Sequence, residues 1–220
     1  MEIATPTATA ADPSPDCTLC PRLVELRESL RVEHPTWWNA PVPPLADADP
    51  WLAIVGLAPG LQGANRTGRS FTGDRSGPLF WDTLVNAGLA EGAYTGKVGD
   101  APVPKGIAIV NAVRCLPPEN KPTPEEIRTC RPFLDADLSA MPSLRVVVAL
   151  GAIAHQSAVK ALGGRLPKAR FAHLAEHRMP SGIVLVDSYH CSRYNQNTGR
   201  LTPEMFAAVF ARAIELGGAG

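Results

Sequence analysis

Trp51-Leu52-Ala53-Ile54-Val55-Gly56-Leu57-Ala58-Pro59-Gly60 is the stretch that decides the fold. Its first half is apolar with no polar alternation, the pattern of a strand covered on both faces. Its second half is glycine and proline, so the chain turns sharply where the strand ends. Three more apolar runs of the same kind lie at 107–110, 145–150 and 183–186. Helices are predicted between or after them, near 77–88, 124–139, 152–162 and 203–216. Thr123-Pro124-Glu125-Glu126 is a capping-box start with proline at the first helical position. Pro132 is expected to break or kink that helix. Strand–helix alternation predicts an α/β fold, a three-layer α/β/α sandwich around a parallel sheet.

Further out, residues 1–15 are rich in Pro, Ala and Thr and are expected to form a disordered tail, followed by one domain over 16–220. That tail has neither a basic start nor an apolar stretch, so no secretory signal is expected. No apolar run reaches the roughly 18 residues of a membrane span. The expected setting is cytoplasmic, with no membrane contact. Cys17 and Cys20 are spaced C-x2-C just before a helix whose apolar face is Leu23, Leu26 and Leu30. Cys115 and Cys130 lie far downstream. In a reducing compartment these thiols suggest metal ligation or burial rather than disulfides. The spacing alone leaves zinc and an iron–sulfur cluster about equally favoured. Cys191 is left over and reads as a small buried residue.

In sheets of this kind ligands bind beyond the carboxyl ends of the strands, and the polar, glycine-rich sequence is concentrated there. The first strand runs into Gly56-Leu57-Ala58-Pro59-Gly60 and then a long polar stretch, Gly63 to Asp74, that contains Arg66, Arg69 and Phe71. The second ends at Asn111. The fourth is followed by His190-Cys191-Ser192-Arg193-Tyr194-Asn195-Gln196-Asn197-Thr198-Gly199-Arg200. The first loop lacks the Gly-Lys-Ser/Thr ending of a P-loop and is no dinucleotide fingerprint. Its exposed amides suit an anion or a carbonyl oxygen. Phe71, with polar neighbours on both sides, is either a packing anchor or a stacking surface for a base. Asn111 is either a structural hydrogen-bonding group or a reader of a base edge. His190, beside Ser192, Arg193 and Asn195, is a better site candidate than His34, His155, His173 or His177. With 21 basic and 21 acidic residues the net charge is formally zero, so nucleic-acid binding would rest on the arginines clustered in these two loops.

Gly-Leu-Ala-Pro-Gly followed by Asn-Arg-Thr-Gly-Arg-Ser-Phe-Thr-Gly-Asp, Asn111-Ala-Val-Arg-Cys115, and His190-x-Ser with Asn195-x-x-Thr-Gly-Arg-Leu-Thr together resemble type-five uracil-DNA glycosylases. The resemblance runs from about Cys17 to the final helix. It implies a four-stranded parallel sheet, and a structural [4Fe–4S] cluster on Cys17, Cys20, Cys115 and Cys130. It implies that Gly56, Leu57, Ala58, Gly60, Phe71 and Asn111 bind the extruded base, with Phe71 stacking on it and Asn111 reading its edge. His190 would contact the leaving base. Other members of the superfamily carry a polar residue where this chain has Leu57 and Ala58, and Asp74 is the carboxylate offered instead. Arg66, Arg69, Ser192, Arg193, Asn195 and Arg200 are the expected DNA contacts.

The expected activity is removal of uracil, hypoxanthine and xanthine from double-stranded DNA, without a covalent intermediate, by a monomer. Cys191 stands where the family usually has proline, and Arg193 and Tyr194 also depart from the common loop tip. A more mobile loop is therefore expected. Two other readings remain: a non-catalytic binder of damaged bases or abasic sites, favoured by the apolar Leu57–Ala58 pair, and a redox protein, disfavoured by the absence of a cofactor fingerprint.

Overall fold

The computed structural model describes residues 12–97, 99 and 101–218. In chain order the elements are α1 (Pro21–Glu33), β1 (Leu45–Ala46), β2 (Leu52–Gly56), α2 (Ala64–Thr67), α3 (Gly77–Asn86), β3 (Ala90–Glu91), β4 (Val103–Pro104) and β5 (Ile107–Asn111). They continue with a 3-10 turn at Pro118–Asn120, then α4 (Pro124–Ser139), β6 (Val146–Leu150), α5 (Ala152–Ala161), β7 (Glu176–Arg178), β8 (Val184–Ser188), α6 (Arg193–Asn197) and α7 (Pro203–Gly217).

The four predicted strands are β2, β5, β6 and β8. They lie side by side in the order β5-β2-β6-β8, all parallel. Every residue of all four is buried. Alternate residues feed two separate cores. Leu52, Ile54, Ile109 and Val148 pack with Phe80, Trp81, Phe206 and Phe210 of α3 and α7. Ala53, Val55, Val147 and Ala149 pack with Leu134, Leu138, Ala154 and Ala158 of α4 and α5. Helices on both faces explain the unbroken apolar runs.

The expectation of four strands is corrected to six, in a mixed sheet. β1 joins β5 and β7 joins β8, both antiparallel, one at each edge. β1 is two residues long and β7 three, and neither carries an apolar run. β3 and β4 form a separate two-stranded sheet. The expected break at Pro132 does not occur: α4 runs through it, gripped on either side by buried Cys130, Leu134, Asp137 and Leu138. Its capping box is present in both directions, Glu126 N–H to the Thr123 hydroxyl and Thr123 N–H to the Glu126 carboxylate. Residues 1–11 of the expected disordered tail lie outside the described residues. Of the remaining four, Asp12 accepts from Arg114 at 3.2 Å and the Pro15 carbonyl from Arg31 at 3.0 Å. No helix among the described residues is long and apolar enough to cross a membrane.

Candidate active site

One pocket gathers Gly56, Leu57, Ala58, Gly60, Phe71, Asp74, Asn111, His190 and Ser192. It opens at the carboxyl ends of β2, β5 and β8, where an open α/β sheet places its ligands. Gly56 and Asn111 are direct partners in the β2–β5 register. A Cβ at Gly56 would lie 2.5 Å from Asn111 Oδ1, so glycine is required for the amide to stand where it does. Asn111 Nδ2 donates to Ser70 Oγ at 3.3 Å, which fixes the plane of the amide. Beyond the strands the ladder continues, with Ala112 N–H on Gly56 O and Val113 N–H on Leu57 O. The first loop is thereby fastened to the segment carrying Asn111.

Phe71 forms a wall. It has φ +53, an uncommon conformation for a bulky residue. Two contacts hold it there: Trp81 Nε1 donates to its carbonyl at 2.9 Å, and its ring stacks on Phe80 at 3.8 Å and 9°. One face is thus filled by Phe80, and the ring is 6.2 Å from that of His190. Backbone strain sustained by this much surrounding structure is a feature of ligand clamps.

His190 follows β8, and its loop is firmly pinned. Asn195 Nδ2 donates to His190 O at 2.8 Å and Gln196 Nε2 to Cys191 O at 2.7 Å. Cys191 is fully buried in the α3/α7-side core, and burial pushes its thiol up, out of reach of easy ionisation. Where the family usually has proline, core burial of Cys191 and these two hydrogen bonds hold the loop. Asn195, an expected DNA contact, uses its amide Nδ2 to hold the His190 loop. Burial lowers the pKa of His190, partly opposed by the negative charge of Asp74. At neutral pH the imidazole is uncharged and donates one N–H.

Asp74 divides its two oxygens. Oδ1 accepts from the N–H groups of Ser76 and Gly77 at 2.9 and 3.0 Å, capping the start of α3. Oδ2 stands over the first loop, where a Cβ at Gly63 would come within 2.5 Å of it. The capping and site readings of this residue are therefore compatible.

The arginines separate. Arg69, an expected DNA contact, has its guanidinium 5.1 Å over the Trp81 ring and donating to Pro102 O, and burial lowers its pKa. Arg66 is half-buried with a 3.5 Å contact to Gly73 O. Arg193 is exposed, and Arg200 lies 4.5 Å over Tyr189. Ser192 accepts from Asn195 N–H at 3.4 Å and caps α6. Replacing Arg69 by alanine is expected to lower the melting temperature and leave the salt dependence of DNA binding unchanged. Arg66→Ala is expected to reduce the salt slope by about one contact, with little effect on melting. Parallel melting and salt-titration series check both.

Sequence reasoning did not single out Ser70, Trp81 or Tyr94. Ser70 lies inside the quoted motif, next to Phe71. Tyr94, whose hydroxyl accepts from Gly73 N–H at 3.1 Å, comes from a distant segment with no local signal. Nor did it single out Asp187, which is fully buried on β8 and bonded to His155 Nδ1 at 2.7 Å and His177 Nε2 at 3.0 Å. His155 Nε2 faces the Ala169 carbonyl at 3.0 Å. Both its nitrogens therefore meet oxygen acceptors. Burial works against its charge, but the bond to Asp187 and that residue's charge outweigh it and raise the pKa. This buried pair anchors β8 three residues before His190.

The four other cysteines line a second pocket between α1, the segment after β5, and α4. Leu23, Val113 and Phe133 supply its apolar walls. Burial, with the nearby thiols, raises Cys115 to about 12, and burial raises Cys130 to about 11. The Arg114 N–H points at Cys130 Sγ, 3.3 Å away.

The sequence profile of the uracil DNA glycosylase superfamily matches residues 43–213. The chain is 43% identical over 207 residues to a type-5 uracil-DNA glycosylase of Thermus thermophilus, covering 92% of this chain and 94% of that one. It is 41% identical over 202 residues to one of Pyrobaculum aerophilum, covering 90% and 88%. A type-4 uracil-DNA glycosylase of Thermotoga maritima is 36% identical over 107 residues, 48% of this chain and 47% of its own. With this match running across sheet, pocket and flanking helices, the chain belongs to the uracil-DNA glycosylase superfamily, in its type-5 group.

Proposed function

We propose that the pocket excises uracil, and with it hypoxanthine and xanthine, from double-stranded DNA by hydrolysis alone, leaving an abasic site. The observation that carries this is the convergence of Phe71, Asn111, His190 and Asp74 on one pocket from three separate stretches of chain. A base inside a duplex must first be flipped out, at a cost of a few kcal/mol that is least for a mismatch such as uracil opposite guanine. Phe71 offers the flipped ring a flat apolar wall, and the Asn111 amide pairs with adjacent N–H and C=O groups on its edge. As the C1′–N bond breaks, the electron pair leaves with the base. The neutral His190 N–H and the backbone amides of 56–60 face that charge, where each preorganised donor contributes about 2.7–4 kcal/mol in other enzymes. Asp74 Oδ2 orients water toward C1′ and offsets the cationic sugar. The water oxygen bonds to C1′ and its proton ends on the departing base. No lysine lines the pocket among the described residues, in keeping with the absence of a Schiff-base step. In this reading Tyr194, 71% exposed at the start of α6 beside Arg193, would enter the duplex.

The cysteine pocket fits a [4Fe–4S] cluster held by Cys17, Cys20, Cys115 and Cys130. Four thiols, apolar walls and an N–H directed at sulfur are the surroundings such clusters use. Among the described residues, the group of three or more His, Cys, Asp or Glu ligand atoms within 4.8 Å of one another is His155, His177 and Asp187. No three of the cysteine sulfurs come that close, whereas tetrahedral zinc would draw them to roughly 3.8 Å. The cluster would serve as a structural cross-link and take no part in the reaction.

The test is incubation with duplexes carrying one uracil, hypoxanthine or xanthine, followed by alkaline cleavage at abasic sites. Wild-type protein is expected to cut all three, and Asn111→Ala to be slower on each because a base-edge partner is lost. Binding of the uracil duplex with no abasic site at stoichiometric enzyme would instead establish a non-catalytic binder.

A further inference from the structure

Trp38 is 45% exposed yet rigidly held. Its indole N–H donates to Pro41 O at 3.1 Å, and its backbone N–H to Arg66 O at 3.1 Å. Gly68, at φ +71, presses so closely on it that a Cβ there would lie 2.7 Å from the ring. The neighbouring Trp37 is stacked on His34 at 3.8 Å and 13°. Both tryptophans line an open groove with Arg66 and Lys97, and no carboxylate lines it. In a chain whose 21 basic and 21 acidic residues balance, a cationic, aromatic groove is a local departure. It adjoins the base pocket: the segment running from Gly63 to Asp74 gives Ala64, Phe71 and Asp74 to the pocket and Arg66 and Thr67 to the groove.

We propose that this groove is a second nucleic-acid site, which holds an unpaired stretch of the substrate strand beside the target nucleotide. Arg66 and Lys97 take its phosphates and Trp38 takes the face of a base. The proposal rests on the reading that DNA is the substrate. Cations that track a backbone beside an aromatic platform are the means by which single strands are bound without sequence preference. Paired bases keep their faces inside the stack, so a continuous duplex leaves Trp38 without a partner. Uracil next to a gap or a single-stranded tail is therefore the favoured substrate.

The experiment uses the full chain as isolated, with its metal content unaltered. Single-turnover release of uracil is measured against enzyme concentration on a continuous uracil–guanine duplex and on the same duplex with the complement gapped to one side of the uracil. In parallel, anisotropy follows binding of a labelled oligothymidylate, which offers no base to excise. Half-saturation on one of the two gapped duplexes is expected at about tenfold lower enzyme than on the continuous one. Trp38→Ala and Lys97→Ala are expected to abolish that advantage and weaken oligothymidylate binding, while the rate at saturation on continuous duplex stays unchanged. Trp38→Phe is expected to keep most of the advantage. Equal half-saturation on continuous and gapped duplexes would overturn the proposal, as would an undiminished advantage in Trp38→Ala of unaltered melting temperature. Should Trp38→Ala fail to fold, the exposed Lys97→Ala decides alone. Failure to release uracil from any duplex would overturn the glycosylase reading instead, and the oligothymidylate arm would still decide whether the groove binds a strand.

Discussion

Replacing His190 with alanine is expected to slow single-turnover uracil release by about 10²-fold or more, with duplex affinity nearly unchanged because phosphate contacts dominate binding. The side chain lines the pocket beside Phe71, and the carbonyl of its own residue is tied down by Asn195. The backbone that carries this donor is therefore fixed before the base enters, and a preorganised donor costs no reorganisation when charge develops. Burial depresses its pKa, so the neutral imidazole is present at and above neutral pH. The rate is expected to stay level from neutral to mildly alkaline pH. A rate that climbs on acidification would identify the imidazolium as the active form and overturn this role. Asp74 is separable by chemistry. Asp74→Asn retains an oxygen for the N–H groups of Ser76 and Gly77 but loses the charge, so turnover should fall with melting little changed. Asp74→Ala should lose the cap as well, at a further cost of about 1 kcal/mol. Equal rates for wild type and Asp74→Asn would leave Asp74 as a cap alone.

The part of this site legible in the sequence is the part carried by strand ends. A glycine–proline turn after an apolar run, an asparagine closing another and a histidine heading a polar loop each mark a carboxyl terminus, and parallel strands bring those termini together. The strands were legible for the same reason: burial on both faces leaves a run of apolar residues that nothing else explains. The edge strands β1 and β7 lie against a single neighbour each and show no such run, so they left no trace. Arginine direction was equally hidden. Arg66 and Arg69 are three residues apart in one loop, yet Arg69 turns inward onto Trp81 and Pro102. That choice depends on Trp81 from α3 and on Pro102, 33 residues away, and no local pattern encodes it. The tight hold on Cys191 is likewise a property of the core it enters, invisible from its place in the loop.

Cys115→Ser is expected to lose iron and sulfide together and to leave the protein poorly soluble, the largest stability effect of any single substitution considered. α1 sits over a small core. The apolar cluster beneath it contains Leu23, Val113 and Cys130 as its buried members. Its polar ties include Arg22 on Glu126, at 2.7 Å, buried Arg27 on the Cys17 carbonyl, at 2.9 Å, and Arg31 on the Asn39 carbonyl, at 3.0 Å. A cluster bridging Cys17 and Cys20 to Cys115 and Cys130 would supply the missing cross-link between α1, the β5 exit and α4. Such binding contributes directly to folding, because the unfolded chain has no preformed site. The consequence reaches the active site through a short, stiff path. Arg114 is buried between Asn111 and Cys115, with its guanidinium on Val42 O, Asp12 and Asp137. Loosening Cys115 therefore loosens the segment that carries Asn111, and any residual soluble Cys115→Ser should be slower on uracil as well as poor in iron. Cys191→Ser is the control: it lies in the other core, so its cost should appear in melting while iron content is retained. Zinc in stoichiometric amount, with neither iron nor sulfide after anaerobic purification, would sink the cluster assignment. It would leave the cross-linking argument to the zinc ion.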